Sequence, residues 1–356
     1  MKNILIIMPP INLTSESTFA LSFLKVLEET KIKPYLVFPK NTNINFPNAE
    51  ILHLNLIMGP IISPVLDLPI IKLRSLLKGK NIKIVNLYYS HLHLGGDLNY
   101  IIYPPGILRK DRQKPYKNIK KIYFKLSYPI ILKLAEGKIN LCSSKYVKEI
   151  MKDKVGFDCE IVYPPVIPQE TKNQEKQNLI VGVGKYVPSK HWEEFIQIAK
   201  KVKQKQPNTK FKIIGGLELV HNSPKDYFSE LRKLAGDDVE LLTDVSEYDK
   251  WRILNSAKIV LHCMRYDNFG LGVAEAMHAG AVPIVYKSSG TWMDIIEEGK
   301  YGIGYTSVEE ASQEIIKIIE DEKTFKEYSE KAQQKAQQYN IQNFKNKIHN
   351  IINQLQ

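Results

Sequence analysis

Short apolar runs alternate along the chain with longer segments in which apolar residues recur at helical spacing. Residues 4–8 form an apolar run of strand length, and residues 19–29 place Leu21, Leu24 and Leu27 on one side of a helix. Strands that alternate with helices are typical of parallel α/β layers. The pattern therefore predicts an α/β fold.

This alternation continues through two halves of the chain. In the first half it predicts further strands over residues 83–89, 99–103 and 139–142, and a helix capped by Ser143 or Ser144 that runs to Met151. In the second half it predicts strands over residues 179–183, 211–214, 239–242, 258–262 and 282–286, with helices over residues 192–204 and 247–255 and from about Gly272.

A boundary between the halves is indicated by residues 163–168, which are dense in proline and precede a polar run. We therefore predict a first domain over residues 1–165 and a second over residues 166–335. The tail over residues 325–355 is polar and helical, and it is too long for one more crossover. Its last part, residues 336–356, is expected to form a helix that packs back on the first domain.

Composition adds limits to this picture. The 356 residues are 44% hydrophobic and 25% charged, which excludes whole-chain disorder and fibrous folds and suffices for two cores. The longest apolar region, residues 51–71, is broken by three prolines, and the short run after Met1 reads as a strand, so neither a spanning helix nor a targeting signal is expected.

The odd set Cys142, Cys159 and Cys263 has no CxxC pair, which predicts neither a disulfide framework nor a structural zinc site and favours a reducing, intracellular setting.

Positive charge is concentrated in the first half. Residues 1–165 carry 24 Lys+Arg against 12 Asp+Glu, whereas residues 166–356 carry 26 against 26. Residues 109–154 alone hold 14 basic and 4 acidic side chains, and residues 117–133 interleave Lys with Ile, Tyr, Phe and Leu. Such a segment suits a phosphorylated substrate or an anionic membrane surface. A solvated helix packed on its own domain explains it equally well, and no nucleic acid is expected because no recognised binding motif accompanies the charge.

Candidate chemistry is densest in residues 262–283, where a strand ends in a polar loop and a helix begins. Gly270 and Gly272 open that helix, so its free amides offer an anion site that a phosphate can approach closely. Glu275 can accept hydrogen bonds from sugar or ribose hydroxyls, and Asp267, eight residues earlier, reaches another part of the ligand. From spacing alone, two carboxylates that stabilise the helix dipole are the simpler explanation.

A second group of residues follows an earlier strand. Gly182, Gly184, Lys185 and Lys190 lie between a predicted strand and a predicted helix. Two ammonium groups that converge on one crevice suit a diphosphate, both as a bound ligand and as a leaving group. A GxG turn is a weak signal and surface lysines are usually solvated, so this group alone is weak evidence for a diphosphate site. Its occurrence together with the first group makes the evidence stronger.

Together the two groups resemble the family-4 glycosyltransferases, two-domain enzymes of GT-B fold, over most of the chain. Gly184-Lys185 with Lys190 is similar to the family's G-R-x4-K donor-diphosphate motif, with Lys in place of Arg. Asp267-x7-Glu275 is similar to the family's E-x7-E motif, with Asp in place of the first Glu.

The most specific likeness is the run over residues 261–283, which resembles the α-1,2-mannosyltransferases that extend dolichol-diphosphate oligosaccharides. The resemblance implies two Rossmann-like domains facing across a cleft, with the C-terminal helix returning to the first domain. It also implies retaining transfer of a hexose, with mannose favoured, from a nucleotide diphosphate sugar. GDP-mannose is the favoured donor and a UDP-sugar the other candidate. No cofactor, no covalent nucleophile and, since no D-x-D triplet is present, no metal is expected.

The resemblance assigns roles to individual residues. Lys185 and Lys190 would hold the donor diphosphate and Asp267 would contact the transferred sugar, which makes these three the predicted catalytic residues. Glu275 would bind the ribose. The predicted donor-binding residues as a set are Gly184, Lys185, Lys190, Gly215, Asp267, Asn268, Phe269, Gly270, Leu271 and Glu275.

Departures from the family pattern concern mainly the acceptor side. Residues 9–18 stand where the family has a glycine-rich loop, and Ile102 stands where relatives tend to carry a His that contacts the donor sugar. The loss of that His implies altered sugar choice or reduced activity. Lys185 keeps the charge of the usual Arg but loses its bidentate geometry. The acceptor-side candidates are His91, His93, Tyr103, Lys120 and Lys121.

These observations predict a retaining glycosyltransferase that acts on a lipid-linked or other anionic glycan acceptor. Its expected place is the cytoplasm, peripheral on the cytoplasmic face of a membrane, with the basic first domain at the surface. Three alternatives stay open: a GT-B nucleotide-sugar epimerase, a sugar-nucleotide-binding protein without transferase activity, and a nucleic-acid binder.

Overall fold

The computed structural model describes residues 3–9, 15–30, 32–38, 46–52, 82–89, 96–104, 136–156, 158–171, 174–217 and 224–355. The chain divides into two compact units. The first consists of Met1–Pro165 together with Gln342–Gln356, and the second of Val166–Ile341.

The first unit is built on a parallel sheet with the strand order β3-β2-β1-β4-β5-β6-β7 within its described residues. The first strand, β1, pairs with neighbours on both sides, so that Ile6 lies between Leu36 and Val85. Its elements are β1 (Asn3–Ile7), α1 (Ser15–Glu29), β2 (Pro34–Val37), β3 (Glu50–Leu52), β4 (Ile82–Asn86), β5 (Leu98–Ile101), β6 (Ile139–Cys142), α2 (Lys145–Val155) and β7 (Glu160–Ile161).

The second unit repeats the plan with the strand order β10-β9-β8-β11-β12-β13, again all parallel. Its strands are β8 (Gln177–Val183), β9 (Lys210–Gly215), β10 (Glu240–Thr243), β11 (Ala257–His262), β12 (Val282–Tyr286) and β13 (Ile303–Tyr305). Its helices are α3 (Trp192–Lys203), α4 (Pro224–Ala235), α5 (Glu247–Ser256), α6 (Leu271–His278), α7 (Val308–Glu320) and α8 (Glu322–Ala336), and α9 (Ile341–Leu355) follows.

The second unit's core forms because its helices bury one apolar stripe each. In α3 the fully buried residues Phe195, Ile198, Ala199 and Val202 recur at spacings of three and four, which places them on one face. Phe195 meets Phe211 of β9 edge to face, with ring centroids 6.0 Å apart. This packing fixes the helix after β8 against the sheet.

The predicted fold class is confirmed, with element ends shifted by a few residues. Each strand predicted from an apolar run is present, and Ser144 caps α2 by accepting a hydrogen bond from the Val147 amide at 3.1 Å. The sequence pattern missed β2, β3, β7, β13, α4 and α7. Three of these strands have only two or three residues, which is too short to give a recognisable apolar run.

One expectation from the cysteines was wrong. The structure joins Cys142, at the end of β6, to Cys159, just before β7, by a disulfide with a Cα–Cα distance of 5.7 Å. Parallel pairing of β6 with β7 brings these positions side by side although 17 residues separate them in sequence. Cys263 is buried and forms no disulfide.

The predicted return of the C-terminal helix to the first unit is confirmed. Phe344 of α9 meets the Phe19 ring of α1 edge to face at 5.2 Å. Lys345 and His349 approach the Glu29 carboxylate at 2.5 and 3.0 Å, and Lys347 donates to the Ile161 carbonyl at 2.6 Å. The helix is therefore held by a buried apolar face, which continues from Phe344 through Ile348, Ile351, Ile352 and Leu355, and by a row of polar contacts.

The chain enters and leaves the second unit at neighbouring points. Val166, the first residue of that unit, forms a parallel bridge with Asn340, which lies next to its last residue. The Val166 amide donates to the Tyr339 carbonyl at 2.7 Å. Both ends of the unit are thus tied together by backbone hydrogen bonding.

No helix in the described ranges has the length and apolarity needed to cross a bilayer. The longest of them, α1, α8 and α9, have 15 residues each, whereas a spanning helix needs about 20 apolar residues.

The docking of α9 can be tested by removing its aromatic contact. Phe344→Ala should lower the free energy of unfolding of the first unit by about 3 to 5 kcal/mol, because it empties a buried ring site. Asn353→Ala, at an exposed position of the same helix, is the matched control and should change little. Thermal unfolding followed by calorimetry measures both, and equal effects would contradict the packing role of Phe344.

Candidate functional site

The candidate site lies where the connections of the second sheet diverge. After β8 the chain passes to β9 on one side, whereas after β11 it passes to β12 on the other. In open parallel sheets a crevice forms at such a switch point, outside the carboxyl ends of the two strands. Both groups of residues singled out from the sequence follow these two strands.

The loop after β8 is held by hydrogen bonds to neighbouring backbone. The Gly184 amide donates to the Ile214 carbonyl at 3.0 Å, and the Trp192 indole donates to the Lys185 carbonyl at 2.9 Å. A side chain at Gly215 would overlap the Gly184 carbonyl oxygen, so the loop and the end of β9 are in direct backbone contact. Gly215 therefore acts here by permitting this close approach.

Gly184 also supports Lys190. Its φ of 153° lies outside the range that other residues favour, and a Cβ there would lie 2.9 Å from Lys190 Cε. The lysine stem thus lies directly over the glycine. This contact aims the ammonium group toward the loop after β11.

The loop after β11 is held by Arg265. Its guanidinium donates to Glu194 Oε1 at 2.9 Å and to the Cys263 carbonyl at 2.6 Å, and a second nitrogen pairs with Glu194 Oε2. The guanidinium lies 3.9 Å above the Tyr286 ring, and the Tyr305 hydroxyl donates to the same Glu194 carboxylate at 2.8 Å. This bidentate, stacked arrangement fixes the loop that carries Asp267.

Neighbouring side chains pack closely against the start of α6. Gly270 has φ 96°, and a side chain there would overlap the Thr291 methyl group. The Phe269 amide points back to Asp267 Oδ1 at 3.4 Å, and the Phe269 ring meets Tyr339 edge to face at 5.2 Å. The first amides of any helix lack intrahelical acceptors, so this end of α6 can receive an anion at close range.

Lys190, Asp267 and His262 form a buried charged cluster at the carboxyl end of β11. Lys190 Nζ lies 3.1 Å and His262 Nε2 lies 3.0 Å from the same oxygen, Asp267 Oδ2. Burial alone would raise the pKa of Asp267, but Lys190 and His262 outweigh it and hold that pKa well below its usual range. Burial lowers the pKa of His262 despite the neighbouring carboxylate. Asp267 is therefore ionised and His262 neutral at pH 7.

A second buried ion pair holds Glu275. Lys250 of α5 lies 3.0 Å from Glu275 Oε1 and 2.8 Å from Glu247 Oε2. Burial raises the pKa of Glu275, and Lys250 opposes that rise. For Lys250, the two carboxylates outweigh burial and raise its pKa, so the lysine stays charged. Lys250 was missed from the sequence because it lies on another helix, 25 residues before its partner.

The structure thus brings some of the predicted residues together. Lys190, Gly184 and Asp267 share one cluster, whereas Glu275 is engaged with Lys250. Arg265, Glu194, His262 and Lys250 had no role assigned from the sequence, although His262 begins the segment singled out there.

The acceptor-side candidates belong to the first unit. His91, His93, Lys120 and Lys121 lie outside the described residues. Tyr103 is half-buried just beyond β5. Ile102, which stands in place of the family His, is buried, and its carbonyl accepts a hydrogen bond from the Ser143 hydroxyl at 2.5 Å.

The side chains brought together in the second unit can bind hydroxyl groups and anions. Two buried carboxylates can accept hydrogen bonds from hydroxyl groups, and each is neutralised by a lysine. A lysine ammonium is a compact point charge that can change partner, so an incoming anion can draw Lys190 away from Asp267. Within the described residues, no group of three or more His, Cys, Asp or Glu is placed to hold a metal ion.

Residues 165–335 match the family described as Glycosyl transferases group 1. Among curated proteins, the chain is similar to a GDP-Man:Man(3)GlcNAc(2)-PP-Dol alpha-1,2-mannosyltransferase of Dictyostelium discoideum. The two are 25% identical over 232 residues, which is 60% of this chain and 46% of the relative. The Homo sapiens protein of the same name is 31% identical over 165 residues, 40% of this chain and 32% of the relative. The chain therefore matches less than half the length of these relatives.

Solved structures show the same fold over the whole chain. Sucrose-phosphate synthase from Thermosynechococcus elongatus superposes with a TM-score of 0.75 at 12% identity, covering 100% of this chain and 99% of that one. Anabaena HepE in complex with UDP and glucose gives 0.73 at 14% identity, covering 99% and 100%. The chain thus has the GT-B fold.

The support of Lys190 by Gly184 can be tested by adding one methyl group. Gly184→Ala should displace the lysine stem and separate Lys190 Nζ from Asp267 beyond about 4 Å, the usual limit for an ion pair. A crystal structure of the variant measures that distance. Gly156→Ala is the matched control, since Gly156 also has positive φ (78°) but a methyl group at that position would meet nothing within 4 Å. An unchanged Lys190–Asp267 pair in Gly184→Ala would contradict the assignment.

Proposed function

We propose that this protein is a retaining hexosyltransferase, since residues 165–335 match the family described as Glycosyl transferases group 1. It moves a hexose, with mannose favoured, from a nucleotide diphosphate sugar to a lipid-linked or other anionic glycan acceptor. The observation that carries the proposal is the Lys190–Asp267 pair at the switch point, beside the N-terminus of α6. It supplies a cation for the leaving diphosphate and a carboxylate for the sugar.

On the donor side, the charges of these residues support the proposed roles. Lys190 and Lys185 stabilise the negative charge that develops on the diphosphate as the glycosidic bond breaks. Asp267 is ionised and can accept hydrogen bonds from hydroxyls of the transferred sugar. Glu275, kept near Lys250, can accept from the ribose hydroxyls. The amides of Phe269, Gly270 and Leu271 support the phosphate or the sugar.

The preference for GDP-mannose is supported by the relatives and not by a contact to the base. The names of the Dictyostelium and human relatives specify GDP-Man as donor and a PP-Dol glycan as acceptor. The solved HepE structure contains UDP and glucose, so the same fold also receives a uridine nucleotide. GDP-mannose is therefore the proposed donor and a UDP-sugar is the comparison to include.

On the acceptor side, the proposal is supported by charge. Residues 109–154 carry 14 basic and 4 acidic side chains, and a lipid diphosphate at a membrane surface needs cationic surroundings. We propose that this basic segment meets the cytoplasmic face of an anionic membrane and brings the enzyme to its acceptor.

A second candidate function is favoured by Ile102. This residue is buried and apolar where family members tend to carry a sugar-contacting His, and an apolar side chain cannot donate a hydrogen bond. A protein that binds nucleotide sugar without transferring it fits that replacement. The two candidates differ in turnover and not in donor binding.

Donor binding can be tested by thermal shift with GDP-mannose, UDP-glucose, GDP and UDP. A ligand at about 100 times its dissociation constant should stabilise the folded protein by roughly 2.7 kcal/mol. Lys190→Met and Glu275→Gln should each abolish most of the shift, because each removes a charge that contacts the donor. Lys201→Met, which breaks an exposed ion pair with Glu309, is the matched control and should keep the full shift.

Turnover is then measured as transfer of labelled mannose to a dolichol-diphosphate oligosaccharide. Donor binding without transfer would favour the non-transferring candidate. A failure of every nucleotide to stabilise the wild-type protein would overturn the proposed function itself.

Membrane attachment can be tested by neutralising the basic segment. Replacing Lys117, Lys120, Lys121 and Lys125 together with Gln should weaken binding to phosphatidylserine-containing vesicles by about 1 kcal/mol per lysine near the surface. Vesicle sedimentation measures the change, and the GDP-mannose thermal shift should stay unchanged. Full vesicle binding by the variant would show that this segment does not mediate attachment.

A further inference from the structure

We propose that His262 is a positioning residue that holds the Asp267 carboxylate when the donor diphosphate draws Lys190 away, and that its ring takes up one proton as this happens. The inference rests on the proposed donor site. It adds a proton-linked step to donor binding at a residue that touches neither the diphosphate nor the sugar.

The geometry behind it is a single oxygen that lies close to two nitrogens. Lys190 Nζ donates a hydrogen bond to it, whereas the buried His262 Nε2 has no hydrogen-bond partner among the described residues. Asp267 Oδ2 lies 3.1 Å from Lys190 Nζ and 3.0 Å from His262 Nε2. His262 is the last residue of β11 and its side chain is 4% exposed, so the strand fixes its position. Lys190 follows the loop after β8, and its side chain is 19% exposed. Of the two residues, the lysine is the one that can move.

Donor binding changes the charge balance around Asp267. A diphosphate diester carries two negative charges and competes with one carboxylate for the same ammonium group. If Lys190 turns to the diphosphate, Asp267, which is only 14% exposed, loses its cation. A buried carboxylate without a cationic partner costs several kcal/mol. Protonation of the neighbouring imidazole restores the partner without any movement of backbone.

The charges that act on His262 favour this change. Burial and the Lys190 ammonium disfavour the protonated ring, whereas Asp267 favours it. In the free protein the first two prevail and the pKa of His262 lies below 6.5. When Lys190 moves away, its positive charge no longer disfavours the protonated ring. The attraction of the Asp267 carboxylate for the protonated ring remains.

Among the described residues, the other elements around His262 add no nearby competing charge. On the β12 side its paired residue is Val285, and the first turn of α6 contains no acidic residue. The nearest arginine along the chain, Arg265, is bound to Glu194. The pKa of His262 therefore rises when Lys190 leaves.

Proton uptake on binding makes the affinity for the donor depend on pH. Between the two pKa values of His262, in the free protein and in the complex, donor binding takes up a proton. Affinity for the donor is therefore fully present at low pH and falls as pH rises through this window, by at most about tenfold per pH unit for one proton. A histidine that only fills space would give no such slope.

The experiment is isothermal titration of the full chain with GDP-mannose at about pH 6.5, where an unperturbed histidine titrates. Two buffers with different ionisation enthalpies are compared, because the difference in observed heat gives the number of protons exchanged. GDP-mannose is used instead of GDP because a terminal phosphate titrates near pH 6, whereas the diphosphate diester does not. The expected result is uptake of up to one proton per bound donor.

Two variants locate the proton. His262→Gln keeps a donor nitrogen near Asp267 but cannot titrate, so it should bind GDP-mannose with no proton uptake and no pH slope. It should also retain more turnover than His262→Val, for which a misplaced carboxylate should cost about 100-fold in kcat. His278→Gln is the matched control. His278 is a partly buried histidine on α6 beside Trp251, and the variant should keep the wild-type proton uptake.

The outcomes separate the two proposals. GDP-mannose binding by the wild type without proton uptake overturns the role of His262 and leaves the proposed function standing. Uptake that persists in His262→Gln also overturns it. If UDP-glucose binds and GDP-mannose does not, the same titration is made with UDP-glucose; absence of binding by both overturns the proposed function and, with it, this inference. Absence of proton uptake by the wild type overturns the role of His262 even if a His262 variant fails to fold.

Discussion

Parallel pairing of β8 with both β9 and β11 is the constraint on which the second unit depends. Parallel neighbours that follow each other in the chain are joined by a crossover connection. From β8 the chain moves outward to β9 and β10, whereas from β11 it moves outward in the opposite direction to β12 and β13. The carboxyl ends of β8 and β11 are therefore left without a connection passing over them. Lys190 and Asp267 lie in the connections that follow these two strands, so the strand order itself brings them together.

Each of the two carboxylates of the candidate donor site lies beside a lysine. The side chains of Asp267 and Glu275 are only 14% and 12% exposed, and a carboxylate largely removed from water is stable only with a partner. Lysine fills this role at both places, through Lys190 and Lys250. An arginine would bind a carboxylate bidentately and release it less readily. Lysine at position 190 therefore suits a site in which the same cation serves a protein carboxylate first and a phosphate afterwards.

Much of the fold and part of the site could be predicted from the sequence because both have local signals. Apolar runs marked the longer strands, and glycines after strands marked the two loops that carry Lys190 and Asp267. The remaining contacts join positions far apart in sequence, such as Arg265 with Glu194, 71 residues apart. No periodicity encodes such a pair. The Cys142–Cys159 disulfide was missed for the same reason, since it depends on which strands become neighbours.

The bridge between Val166 and Asn340 gives the second unit adjacent ends. In topological terms this unit is an insertion into the first, whose chain resumes at Gln342. A unit with adjacent ends can be exchanged, duplicated or permuted while the chain around it keeps its own connections. The family match over residues 165–335 covers nearly this same segment. The two units can therefore diverge at different rates, because a change within one unit leaves the chain connections of the other intact.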